Sequence, residues 1–174
     1  NAAIFSLFNQ MLLRPLPVAA PQQLVNLSAP GPKPGSTSCN QAGTCEEVFS
    51  YAMFRDFERS QTVLRGLAAH RSFGANIAYK NQTLSGEGML VSGSYFPTLG
   101  VQAARGRLIG PADDQHIAGH PVAVLSHRFW ETQLGSDPAV IDQVIVVNGQ
   151  SLTIIGVAPD GFRGTTLGSD PRVF

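Results

Sequence analysis

The chain has 174 residues, of which 43% are hydrophobic, enough apolar material for a sizeable core in one domain or two small subdomains. Twelve Lys and Arg balance twelve Asp and Glu, so no net field exists to hold a phosphate backbone or an anionic membrane surface. Nucleic acid is therefore not expected as a partner.

The chain begins at Asn1 and ends at Phe174, which suggests a segment of a longer protein. Its apolar opening, Ala2 to Leu13, is shorter than the roughly 20 residues of a spanning helix and is interrupted by Ser6, Asn9 and Gln10. No charged region precedes it, so it is not an intact signal peptide. As a helix it would place Ile4, Phe5, Phe8, Met11 and Leu12 near one face. That pattern fits an amphipathic helix packed on its own domain, or the distal end of a membrane helix.

Pro15, Pro17 and Pro21 end this helix, and the alternation over Leu24–Ser28 predicts a half-buried strand. In the turn-rich loop that follows, Cys39 and Cys45 could close a small disulfide ring in an oxidising compartment, the alternative being two free thiols. None of the four His lies near enough in sequence to complete a metal site with them. Residues 46–59 read as a helix with a stripe of Val48, Phe49, Ala52, Met53, Phe54 and Phe57. Short strands are expected at 68–73, 75–79 and 83–91, broken at Gly74 and Asn81-Gln82, and a helical turn at 94–99.

Val122–Leu125 has the character of a buried strand, and Ser126 is placed to cap a helix on which Phe129, Trp130 and Leu134 pack while Arg128 and Glu131 face water. Asp137 can cap the turn at Pro138, and Asn148-Gly149 is the favoured dipeptide of a two-residue hairpin within 144–158. Strands and separate helices without a repeating βαβ period indicate an α+β fold.

Candidate chemistry is sparse. Asp113, Asp114, His116 and His120 gather potential metal ligands, but Gly119 and Pro121 oppose the helix that an i, i+4 His pair needs. Ser126-His127 lacks the glycines of a nucleophile elbow, and Gly88 to Gly93 lacks the Lys of a phosphate loop. Asn26-Leu-Ser28 and Asn81-Gln-Thr83 fit short glycosylation patterns. No catalytic residue, cofactor or metal is assigned. A small secreted metal-dependent hydrolase using the Asp113–His120 cluster stays as the alternative to a binding or coupling domain.

Several stretches carry a resemblance: 1–17 (NAAIFSLFNQMLLRPLP), Phe49-Ser-Tyr51, 91–101 (VSGSYFPTLGV), Gly106-Arg-Leu108, 121–126 (PVAVLS) with Phe129-Trp130, Asn148-Gly149, and 155–162 (IGVAPDGF). Together they resemble the MacB-like periplasmic core domain of the MacB/FtsX-like ABC transporter permeases, particularly large permeases whose ATPase is a separate chain. The resemblance implies an extracytoplasmic segment of an inner-membrane protein, located in the periplasm. It also implies residues 1–22 as membrane-helix end and connector, 23–99 plus 159–174 as a porter-like subdomain, and 100–158 as an inserted sabre-like subdomain. The implied role is non-enzymatic coupling of cytoplasmic ATP hydrolysis to export or to activation of a partner. The implied partners are the membrane-embedded remainder of the permease, a separate ATPase subunit, a periplasmic adaptor or cargo, and a second permease copy.

Overall fold

A computed structural model describes residues 17–28, 48–116 and 119–174. The expectations for the opening helix and for Cys39 and Cys45 lie outside these residues. Seven strands of the described residues form one sheet: β1 (His70–Tyr79), β2 (Gln82–Val91), β3 (Arg105–Gly106), β4 (Val122–Leu125), β5 (Val144–Val147), β6 (Gln150–Val157) and β7 (Pro171–Val173). Among the described residues three α-helices accompany them: α1 (Tyr51–Ser60), α2 (Tyr95–Leu99) and α3 (His127–Leu134).

β1 and β2 pair antiparallel over their whole length, from His70 opposite Val91 to Tyr79 opposite Gln82. Gly74 does not break β1, contrary to the sequence expectation. It pairs with Glu87 inside the ladder, and the chain reverses instead at Lys80, which takes a positive φ of 51°. β2 runs parallel to β7, β7 antiparallel to β4, and β4 parallel to β6. β6 then pairs antiparallel with β5, and β5 with β1 at Ile77–Val147 and Ala78–Val146, so the ladder returns on itself. The β5–β6 reversal is the expected one. Asn148 and Gly149 both take positive φ, 49° and 82°, as a two-residue hairpin requires.

Two apolar clusters flank the sheet. Leu125 and Val124 on β4, and Ile154 and Ile155 on β6, fall into different clusters, as the two-residue alternation of a strand demands. The first cluster joins Ile77, Leu125, Ile145 and Ile154 to Phe129 of α3, with Trp130 and Leu134 packed at its margin. The second is aromatic: Phe96 of α2 meets Phe174 at 5.6 Å and Phe162 at 5.9 Å between ring centroids. Strand pairing and both clusters cross the expected boundaries at 99/100 and 158/159. The described strands thus form one sheet with shared cores.

Two further expectations are corrected. Leu24–Ser28 joins no ladder; Leu24 packs on the second cluster, while Val25 is 68% exposed and meets no partner strand. α1 begins at Tyr51 rather than residue 46, because Ser50 is extended and its hydroxyl accepts from the Met53 amide, which fixes the helix start there. Of the predicted stripe only Phe54 is buried; Phe57 stays exposed. The cap of α3 is as predicted: Ser126 Oγ accepts from the Phe129 amide at 3.3 Å, and Gly135 ends the helix in the left-handed region.

Candidate functional site

The structure brings Asp113, Asp114, His116 and His120 to one cleft of 290 Å³, whose walls include Tyr51 and Arg55 of α1. The carboxylates occupy a 3-10 turn, Pro111–Asp114, started by a proline with preset φ. Asp113 receives both arms of the Arg107 guanidinium, at 2.6 and 2.8 Å, and the Gly110 amide at 2.9 Å. These bonds, the arginine's foremost, hold its carboxyl below the usual range and raise Arg107 in turn. Asp114 accepts from the Tyr51 hydroxyl at 2.6 Å and the Gly93 amide at 2.8 Å, with Arg55 at 3.8 Å. Burial of the phenol and its bond to Asp114 push Tyr51 up to about 12.

This arrangement fastens rather than coordinates. The lone pairs of Asp113 are committed to Arg107, and Asp114 ties α1 to the turn between β2 and α2. Among the described residues no three metal-ligating side chains converge. A metal at Asp113 would have to displace a bidentate arginine, and one at Asp114 would compete with the Tyr51 hydroxyl and the Gly93 amide.

A second polar group secures the segment that follows β6. His70 Nε2 lies 3.0 Å from Thr166 Oγ1, and Thr165 Oγ1 lies 3.1 Å from the Tyr95 hydroxyl. Burial keeps His70 below its ordinary value and holds Tyr95 above its own. Nearby, Glu87 on β2 accepts from the Ser169 hydroxyl at 2.8 Å and the Asp170 amide at 3.1 Å. Sequence reasoning missed all of these residues. Their partners lie 70 to 96 positions away, and no local pattern marks them.

Other candidates take ordinary roles. Ser126 is the cap of α3, and His127 turns its Nδ1 toward Asp160 at 3.8 Å. Gly88 to Val91 continues β2, so its amides serve the sheet instead of a phosphate. Asn26 and Asn81 are both exposed. Among the described residues no helix is long and apolar enough to cross a membrane.

The closed sheet with helices on both faces is an α+β fold with solved counterparts. It is similar to the crystal structure of the periplasmic region of MacB from Actinobacillus actinomycetemcomitans, with a TM-score of 0.55 at 16% identity, over 70% of this chain and 61% of that one. It is similar to the same degree, 0.55 at 15% identity over 66% and 59%, to the extracellular domain of the ABC-type transporter YknZ from Gram-positive bacteria. The chain thus spans less than two thirds of either structure. No curated protein matches it. The family model of the MacB-like periplasmic core domain matches residues 1–174, and the chain belongs to that family. It is a periplasmic domain of a MacB-like ABC transporter permease, a family of transport proteins rather than an enzyme class.

Proposed function

We propose that this domain transmits movement. ATP hydrolysis by a separate cytoplasmic ATPase subunit shifts the membrane-embedded remainder of the permease, and the domain carries that shift to a periplasmic adaptor, a cargo or a partner to be activated. Two permease copies act together. The observation that supports this reading is the sheet that returns on itself, in which β5 pairs with β1 and β4 with β7. Strands so joined, with cores on both faces, move as one body, because packed interiors are not continuously deformable. The Asp114 joint adds α1 to that body.

Pulsed spin-label distances in the full permease–ATPase complex test the proposal. Labels at the exposed positions Gln82 and Glu131 should keep one separation with and without nucleotide, while the separation between the Glu131 labels of the two copies changes. A changing internal distance, or an inter-copy distance indifferent to nucleotide, would sink it.

A further inference from the structure

A cleft of 140 Å³ lies between α3 and β7, away from the Asp113–Asp114 joint. Arg128, Thr132 and Gln133 of α3 and Arg172 of β7 line it, together with Asp170. Asp170 is already engaged: Arg128 Nη1 lies 3.0 Å from its Oδ2, and Arg163 Nε lies 3.7 Å from its Oδ1. Arg172 differs. It forms no ion pair among the described residues, and its Nη1 is buried with no hydrogen-bond acceptor.

An arginine cannot relieve such a position by giving up its proton, so a buried, unanswered guanidinium N–H calls for an explanation. Arg172 is also held in place. Its Nε and Cδ press against Gly86 of β2, so closely that any Cβ at that position would collide with them. Its Cζ sits 5.8 Å from the centre of the Phe129 ring, a contact that offers attraction but no lone pair for the N–H groups. A guanidinium fixed in this way loses little freedom on binding, and its fork matches a carboxylate.

We propose that this cleft binds a carboxylate group, with Arg172 as the anchor, Arg128 as a second positive charge and the Gln133 amide as a neutral donor. The volume suits an end group instead of a whole drug-sized ligand. The carboxylate belongs either to a small free acid or to the end of a peptide. The inference stands independently of the coupling role.

Titration of the chain by acetate, followed by nitrogen–proton NMR of the Arg172 Nε and Gln133 side-chain signals, tests it against sodium chloride at equal ionic strength. Saturable shifts at these two residues are expected. In Arg172→Met, read at the remaining Gln133 signal, the acetate affinity should fall at least about tenfold, the usual scale for losing hydrogen bonds to a charged group. Arg65→Met, at an exposed arginine elsewhere, should change nothing. A short peptide with a free carboxyl end that binds more tightly than acetate, while its amide does not bind, identifies a peptide source; equal affinities identify a free acid. Should Arg172→Met fail to fold, Arg128→Gln, at a largely exposed side chain, must lower the affinity instead. Shifts that do not saturate, that chloride reproduces, or that survive these substitutions overturn the proposal.

Discussion

Trp130→Ala measures how far α3 is fixed to the sheet. The indole is half-buried at the margin of the first cluster, so about 100 Å² of apolar contact is at stake, or about 2.5 kcal/mol. Its Nε1 donates to the Asp137 carbonyl at 2.9 Å, which adds about 1 kcal/mol, the usual net worth of such a bond. The ring edge against His127, at 5.4 Å between centroids, contributes less. The expected loss is therefore about 3.5 kcal/mol, in the lower half of the range for a fully enclosed aromatic. Phe129→Ala, at a ring only 3% exposed, should cost about 3–5 kcal/mol. Trp130→Phe should cost about 1 kcal/mol from the hydrogen bond, plus a little packing. Trp130 is the only tryptophan of the chain, so urea unfolding must be followed by circular dichroism rather than indole fluorescence. A fall in melting temperature of about 7–14 °C should accompany the loss. The reasoning is refuted if Trp130→Ala unfolds within about 0.5 kcal/mol of wild type, or if it costs clearly more than Phe129→Ala.

Three further outcomes are expected. Asp114→Asn should bring the Tyr51 phenol down from about 12 toward its ordinary 10.0 in an ultraviolet tyrosine titration; an unmoved titration would detach Tyr51 from Asp114. Because Tyr51 is raised in the folded state, its stabilising contribution is complete below pH 10 and fades as pH climbs toward 12, and Tyr51→Phe should remove that alkaline decline. His70 is lowered by burial, so its contribution is present above about pH 6.5 and is lost as pH falls further; melting curves should show less acid sensitivity in His70→Gln, and an equal sensitivity would refute the assignment. Cys39 and Cys45 should yield no free thiol when protein made under oxidising conditions is unfolded without reductant, and two titrating thiols would rule out the bridge.

What the sequence made legible is what neighbouring residues decide among themselves. Ser126 caps α3, Asp137 accepts from the Ala139 amide at 2.9 Å, and Asn148-Gly149 reverses the chain, because each signal closes a bond within three residues or sets a local φ. Gly74 shows the limit of such reading. Alone it resembles a break, yet across 74 residues its carbonyl accepts from Asn148 Nδ2 at 2.9 Å, while Asn148 Oδ1 accepts from the Asn76 amide at 2.8 Å. The hairpin residue read as a turn is therefore also the clasp that joins β5 to β1, and the ladder continues through the glycine because a partner side chain supports it.

The same limit governs the candidate site. Asp113 and Asp114 stand out by residue type, and a ligand cluster is the reading their neighbourhood invites. What decides between a metal site and a joint is where Arg107 and Tyr51 lie, the latter 63 residues away on a helix whose start depends on Ser50. A carboxylate's role follows from its counter-charge, and here that counter-charge is supplied by tertiary structure. Arg172 is the converse case. Nothing in Asp170-Pro-Arg172 marks it, and only the close approach of Gly86, the ring of Phe129 and the commitment of Asp170 to Arg128 and Arg163 show that this arginine, unlike Arg107, carries a charge that no carboxylate of the described residues answers.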